Sequence, residues 1–342
     1  MDEKYDVVVV GGGAAGLSAA LTLARARRSV LVVDAGAPRN ATAGHVHNYL
    51  AREGVAPADL LAAGRAEVTG YGGEVVTCRV VSAQRLRGGM FRVVLADGRV
   101  VLARRLLVTT GLVDELLDVP GVAQRWGRDV LHCPYCHGWE VRDRAIGVLA
   151  SGPLAVHQAL LFRQLSADVI LFLHTAPAPG PAEREQLAAR GIAVVDGEVA
   201  ALEVTGDRLT GVRLRCGEVI PRQALVVQPR FMARADVLIS LGLEPADQHI
   251  GGHVVGSCVP ADPTGATAVP GVWVAGNVTD LRAQVISAAA AGLNTAAAIN
   301  ADLVAEDARD AVAAHRGRRE PFSARAEREV CELVLAGRRH GL

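Results

Sequence analysis

Short runs of β-branched residues alternate with longer amphipathic or small-residue stretches along this chain, which predicts strands and helices in turn. Tyr5 to Val10 is the continuous apolar run of a buried parallel strand. Ala14 to Arg27 reads as a helix, and Ser29 to Asp34 as a second strand ending in an acid. From Glu74 to Thr110 the pattern is one of short strands: Val75-Val76, Val80-Val81, Phe91 to Leu95, Val100-Val101 and Leu106 to Thr109. Asp97-Gly98 marks a hairpin turn within it. Near Val119-Pro120-Gly121 the chain leaves this first unit. A second strand–helix–strand series follows, with strands Ala145 to Leu149 and Val169 to His174 around a helix Leu154 to Leu165. The helix Ala182 to Ala189 and strands Ala193-Val195, Leu209-Leu214 and Ala224-Val227 complete it. Gly271 to Val278 is a strand running into a turn, and Ala283 to Asp302 a long small-residue helix. That composition suits close approach to a flat cofactor or to another helix. Phe322, Ala326, Val330 and Leu333 recur at helical spacing, predicting a terminal amphipathic helix packed on the body or on a second subunit.

Two stretches carry chemistry. Gly11-Gly12-Gly13-Ala14-Ala15-Gly16 sits between the first strand and first helix, with the G-x-G-x-x-G spacing at Gly11, Gly13 and Gly16. Glycines there permit a tight turn, approach of backbone to a pyrophosphate and close helix packing, while the helix start offers free N–H groups to phosphate. Asp34, at the end of the next strand, can accept from a ribose hydroxyl. The second stretch is Cys133-Pro134-Tyr135-Cys136-His137-Gly138-Trp139-Glu140, preceded by His132. Two thiols at this spacing close into a disulfide and reopen, and the spacing lowers the pKa of one thiol. His137 or His132 can hold the proton that leaves. Asp114 or Glu140 can orient either ring. Cys-x-x-Cys-His also marks c-type haem attachment, but that needs export. The apolar run Val7 to Ala24 has acidic flanks and three consecutive glycines, so it reads as strand, turn and helix and not as a signal or membrane segment. A structural zinc site wants a second ligand pair, and Cys78, Cys216, Cys258 and Cys331 are isolated, so no metal is expected.

At 342 residues and half apolar, the chain has material for two cores. Basic and acidic residues balance at 36 each, which argues against a nucleic-acid partner. Six cysteines are too few for a disulfide scaffold, so the expected setting is a reducing cytoplasm with any disulfide catalytic. In the second strand–helix–strand unit, Ala150-Ser151-Gly152-Pro153 stands where a phosphate-cradling glycine turn belongs, and no Arg or Lys follows between Val169 and Pro181.

With these pieces placed, the chain resembles the low-molecular-weight thioredoxin reductases from about Tyr5 to Asn300. The resemblance is carried by the glycine loop, the strand end Thr109-Thr110-Gly111, Cys133-x-x-Cys136, the second strand–helix–strand unit, and Gly276-Asn277-Val278 followed by Arg282-Ala283-Gln284. It implies an α/β fold of two Rossmann-like dinucleotide-binding domains, the second inserted into the first. The expected divisions are 1–117 and 248–316 for the FAD-binding domain, 118–247 for the inserted NAD(P)-binding-like domain, and 317–342 for a helical tail. The cofactor it implies is FAD, held by Gly11, Gly13, Ala14, Ala15, Gly16, Asp34, Arg39, Asn40, Thr110, Gly111, Gly276, Asn277, Arg282, Ala283 and Gln284. Reductases usually carry Asp where Asn277 stands, and an Asp after the second cysteine where His137 stands. With the eroded second glycine loop, His137 makes the chain similar to the flavin-dependent dithiol oxidases of the gliotoxin and holomycin type. Their motif, Cys-Pro-aromatic-Cys-His-Gly-aromatic-Glu, is matched from Cys133 to Glu140.

That resemblance implies oxidation of a small-molecule dithiol to a disulfide through Cys133 and Cys136, with oxygen as acceptor and hydrogen peroxide as product. Cys133 is the expected site of substrate attack, Cys136 the residue that faces the flavin, His137 the base and His132 its alternate. His45 and His47, on the turn-rich stretch Pro38 to Asn48, are expected to wall the substrate pocket. The expected assembly is a homodimer, without a membrane partner, and NAD(P)H is not expected to serve as donor. Two rivals are an NAD(P)H-dependent disulfide reductase and a non-catalytic redox-sensing flavoprotein.

Overall fold

The strand Glu3–Val10 is the spine of the first sheet, because its apolar side chains are buried on both faces. In the computed structural model, which describes residues 3–319 and 324–336, it pairs in parallel with Val30–Asp34 on one side and Val100–Val108 on the other. Glu74–Thr77 extends the sheet beyond Val30–Asp34, also in parallel. The helix Ala14–Arg25 makes the crossover between the first two strands, as the spacing predicts.

Val100–Val108 is one strand where the sequence suggests two short ones. Its first half pairs antiparallel with Phe91–Leu95, its second half parallel with Val272–Val274. Arg104 and Arg105 fall between the two apolar runs and break the hydrophobic pattern without breaking the ladder. The backbone pairing continues through Arg105, which is 8% exposed.

The second unit is a five-stranded parallel sheet in the order Ala193–Val195, Val169–Phe172, Ile146–Leu149, Ala224–Val226, Val130–Leu131. A three-stranded antiparallel sheet, Val199–Thr205, Arg208–Leu214 and Val219–Ile220, packs against it through Leu202, Leu209, Val212 and Leu214. The connections into and out of this unit are two strands that pair with each other, Leu112–Glu115 antiparallel to Arg230–Ala233. They form a four-stranded sheet with His253–Cys258 and Ala246–Ile250. The second unit is therefore inserted into the first, as the resemblance implies. These four strands escaped the sequence pattern because three of them span only four or five positions and show no regular alternation of polar and apolar residues. The helix Pro57–Gly70 escaped it too: it buries only Pro57, Leu61 and Val68.

The small-residue helix runs Val285–Arg319, well past Asp302. Its early turns show what the small residues are for. A side chain at Gly292 would put its Cβ 2.0 Å from the carbonyl oxygen of Ala15, so this helix lies backbone to backbone on the start of the first one. Chain contacts group Met1–Ala296 and Ala297–Leu342 as two units. In the latter, Ala324–Ala336 is the terminal helix, as the spacing predicts, and Val330 and Leu333 are 58% and 75% exposed on the single chain. Phe322 lies outside the described residues. Among the described residues no helix is long and apolar enough to cross a membrane.

Gly292→Ala is expected to destabilise the protein by about 1–3 kcal/mol, since the added methyl meets backbone that cannot rotate away. Denaturant unfolding of the purified variant checks this, and unchanged stability would show that the two helices part at no cost.

Candidate active site

The glycine loop follows from the strand that feeds it. Gly11 adopts φ +106°, and a Cβ there would lie 2.6 Å from the carbonyl oxygen of Thr109. Gly16 is tighter still: its Cβ would come 2.0 Å from the carbonyl oxygen of Gly11. Both are internal packing requirements. Gly13 differs, because a Cβ there meets nothing within 4 Å and points into open space. It is the N-cap of the first helix and has no side-chain cap, so the first N–H groups of that helix are free to hold an anion. The three glycines thus divide as their spacing predicts.

Open space beside Gly13 belongs to a cleft of about 1420 Å³ that also reaches Cys133 and Cys136. That exceeds the 300–1,000 Å³ of an ordinary ligand pocket, so the cleft has room for a dinucleotide and a second molecule. Gly11, Gly13, Ala14, Ala15, Asp34, Arg39, Asn40, Thr110 and Gly111 all line it, as do Gly276, Asn277, Arg282, Ala283 and Gln284. Gly16 does not, in keeping with its packing role. His45, His47, His132 and His137 line the cleft too. The donor set fits FAD: an open glycine cradle at a helix start, an acid at the end of the second strand, and a second helix brought against the first.

Asp34 already has partners. One oxygen accepts from Gly12 N–H at 3.1 Å and the other from Arg65 Nη2 at 2.9 Å. A carboxylate has four acceptor positions, so capacity for a hydroxyl remains. Arg65 stands on the helix the sequence pattern missed, and nothing in the sequence pointed to it. Asn277 uses its amide as an acid cannot: Nδ2 donates to the carbonyls of Asp280 and Ala283, both at 2.9 Å. The Asn-for-Asp departure therefore shapes the turn that carries Arg282, Ala283 and Gln284.

The dithiol sits at the carboxyl end of Val130–Leu131, an edge strand of the second sheet. Cys133 caps a single helical turn, Pro134–His137. Pro134 suits the first position of that turn because it needs no N–H there. Gly138 is obligatory, since a Cβ would lie 2.2 Å from the carbonyl oxygen of Pro134 and 2.4 Å from Leu165 Cδ1. A hydrogen bond from the Cys136 thiol pulls the Cys133 pKa down from 9.0 to about 7. Burial opposes this, while the backbone N–H groups of Cys136 and Tyr135 and the charge of Arg39 assist it. The Cys136 thiol is pushed up, as the donor of that bond, as a buried group, and because it would ionise beside a thiolate.

Arg39 forms a fork with Asp114, Nε to Oδ2 at 2.8 Å and Nη2 to Oδ1 at 2.6 Å. Asp114 thus orients an arginine and not a histidine. The guanidinium lies 5.2 Å over the Phe231 ring, which also meets the His132 ring in a T-shaped contact at 5.2 Å. Glu140 lies 3.3 Å from His47 Nε2, and His47 Nδ1 lies 2.5 Å from Glu53. Asn48 Nδ2 donates to the carbonyl of Tyr135 at 2.6 Å. The loop carrying His45 and His47 is therefore tied directly to the dithiol turn. His137 is held neutral by burial, with the charge of Glu140 opposing and that of His47 assisting. Its Nε2 is buried and without a hydrogen-bond partner. Burial also depresses the His132 pKa. Among the described residues no group of histidines, cysteines and acids is arranged to hold a metal.

In reduced protein, alkylation of Cys133 by iodoacetamide is expected to speed up as pH rises, reaching half its plateau near pH 7. Arg39→Gln is expected to move that midpoint upward. Peptide mass spectrometry reads both, and a wild-type midpoint near 9 would show an unperturbed thiol.

The family model for pyridine nucleotide-disulphide oxidoreductases matches residues 5–292. Thioredoxin reductase tcpT of Claviceps purpurea is 37% identical over 175 residues, 49% of this chain and 54% of that protein. Thioredoxin reductase sirT of Leptosphaeria maculans is 28% identical over 320 residues, 89% of this chain and 95% of that one. The chain spans about half the length of several of the curated relatives it matches. Among solved structures, that of HlmI superposes with a TM-score of 0.85 at 46% identity, covering 92% of this chain and 96% of HlmI. A match over nearly 290 residues that takes in the glycine loop, the inserted sheet, the dithiol and the late strand means that the chain belongs to the pyridine nucleotide-disulphide oxidoreductase family.

Proposed function

We propose that the chain is an FAD-dependent dithiol oxidase that closes a disulfide in a small molecule, with oxygen as the final acceptor. The observation that carries this reading is a thiol pair, one member drawn toward ionisation near neutral pH, in the same cleft as an open glycine cradle. The division into FAD-binding parts 1–117 and 248–316 around an insert 118–247 belongs to the same reading, as does a homodimer. Gly11–Ala15, Asp34 and Gly276–Gln284 would hold FAD, which would supply a two-electron acceptor for the dithiol with oxygen as the final oxidant and hydrogen peroxide as product.

The chain's own residues perform the thiol exchange. A substrate thiolate attacks Cys133 Sγ of the Cys133–Cys136 disulfide, and Cys136 leaves as thiolate. His137 takes the proton of the substrate's second thiol. That sulfur attacks the first, the substrate disulfide closes, and Cys133 is released as thiolate. The Cys133 thiol is drawn below the ordinary thiol value by the hydrogen bond from Cys136, which favours its release as thiolate in this second exchange. A neutral imidazole suits His137 for its task, since only the unprotonated ring accepts a proton.

The relatives named thioredoxin reductases favour a second reading, reduction of a disulfide by NAD(P)H. The loop at Ser151 speaks against it. Ser151 Oγ donates to the carbonyl of Gln228 at 3.1 Å and receives the Gln228 N–H at 3.3 Å. A side chain thus braces the loop where a glycine turn would expose backbone to a pyrophosphate.

Anaerobic mixing with a reactive dithiol is expected to bleach the flavin rapidly, whereas NADH and NADPH bleach it slowly. Stopped-flow absorbance decides, and bleaching by either nucleotide at the dithiol's rate would establish the reductase. The acid limb of the dithiol oxidation profile is expected below pH 6.5, because the folded pKa of His137 is depressed and activity fails only as that ring gains a proton. His137→Ala is expected to slow turnover by about 10²–10⁴-fold and to abolish that limb. An unchanged limb in the variant would assign it to another group.

A further inference from the structure

We propose that Gln158 is a positioning residue that fixes His132 in the tautomer with its proton on Nε2, so that His132 offers the cleft a hydrogen-bond donor and not a base. The role given to that donor rests on the dithiol oxidase reading above; the tautomer itself does not.

Gln158 is a polar residue on the apolar helix Ala155–Phe162 and is only 4% exposed. Its Nε2 lies 3.0 Å from His132 Nδ1 and 3.2 Å from Gln228 Oε1. Gln228 Nε2 in turn lies 3.3 Å from the backbone carbonyl of Pro229. A backbone carbonyl can only accept, and this fixes the polarity of the whole series. Gln228 turns its amide N–H₂ to Pro229, so its oxygen faces Gln158. Gln158 must then turn its own N–H₂ inward, with one hydrogen for Gln228 and the other for His132 Nδ1. Nδ1 is therefore an acceptor. Burial keeps the ring neutral, and a neutral ring with a bare Nδ1 carries its proton on Nε2.

One contact opposes this order. The carbonyl of Val227 lies 3.2 Å from the same Nδ1 and would accept a proton placed there. To allow it, both amides would have to flip. Gln228 Oε1 would then face the Pro229 carbonyl, acceptor against acceptor. Gln158 would place its N–H₂ where its oxygen now lies, a buried position without any hydrogen-bond partner. That exchanges one orphaned acceptor for two orphaned donors, and buried orphaned N–H groups are the rarer and more costly of the two. A single 3.2 Å contact does not offset both losses.

His132 lines the cleft and directly precedes Cys133, with its ring in a T-shaped contact with Phe231 at 5.2 Å. Its Nε2–H is a fixed donor for a sulfur that carries negative charge after S–S cleavage, the Cys133 thiolate being the nearest in sequence. No proton leaves His132 in this role. The transfer belongs to His137, which separates the two histidines by task.

The test is the imidazole ¹⁵N spectrum of histidine-labelled holoenzyme at pH 7.5, with the His132 signals assigned by their loss in His132→Gln. Wild type is expected to show a protonated Nε2 and a bare Nδ1 at His132. Gln158→Leu leaves the Val227 carbonyl facing Nδ1 at 3.2 Å and is expected to move the proton there. Dithiol-driven oxygen uptake of that variant is expected to fall by about 10- to 100-fold, the cost of one hydrogen bond to a charged group, with the acid limb unmoved. A protonated Nδ1 in wild type, which needs no variant to fold, overturns the proposal. So does an unchanged tautomer in Gln158→Leu, and a moved proton with full turnover overturns the donor role. Failure of the oxidase reading would instead show as no oxygen uptake in wild type, with the tautomer as stated.

Discussion

Three backbone segments meet at the glycine loop with no space for a side chain between them, and the site depends on that meeting. Gly16 closes the first helix onto the strand end at Gly11, Gly11 closes onto Thr109, and Gly292 closes the late helix onto Ala15. Each contact is between main chains, so each puts an N–H group or a helix start, and not a side chain, at the wall of the cleft. Gly13 is the one position of the four where nothing stands opposite. Packing on one side of the loop thus produces the opening on the other.

The second requirement is to bring a thiol pair from a separate sheet to the same opening. The paired strands Leu112–Glu115 and Arg230–Ala233 do this, since they carry the chain out and back side by side. They also supply the polar wall between the sheets. Asp114 from one strand holds Arg39, and Phe231 from the other contacts both the guanidinium and His132. One short pair of strands therefore does both jobs, connection and electrostatics. The charge of Arg39 acts on both cysteines from this seat, so that ionisation of the dithiol is coupled to a pair anchored outside the dithiol turn.

Histidine chemistry at the site is differentiated by what each ring touches. His47 lies between Glu53 and Glu140, His137 is buried with one nitrogen unpartnered, and His132 faces a series of amides ending at a backbone carbonyl. Three rings of one chemical type thus have three different donor and acceptor states available. The residues that make the difference, Gln158, Gln228, Glu53 and Glu140, come from four separate segments. Only Glu140 belongs to the dithiol motif.

Much of this was written in the sequence. Strand, glycines, helix, strand and acid from Tyr5 to Asp34 declare themselves because each step is local and follows a backbone rule: β-branched runs pleat, glycines turn, and a helix start binds anions. The same holds for the second strand–helix–strand unit and for the dithiol turn, where Pro134 and Gly138 are demanded by the turn itself. Tertiary structure decided what depends on distant partners. Val100–Val108 became one strand because its two halves have different neighbours, and the helix from Val285 ran past its small-residue stretch to Arg319. The four-stranded sheet was invisible because its strands are short and weakly patterned. Arg39 took Asp114 as its partner, 75 residues away, and Asp34 took Arg65, 31 residues away. A lone glutamine in an apolar helix was the only local trace of the series at His132, and its partners lie 26 and 70 residues off. Spacing along the chain fixes which backbone shapes form; which charges and hydrogen bonds face one another is fixed only when separate shapes close on a shared cleft.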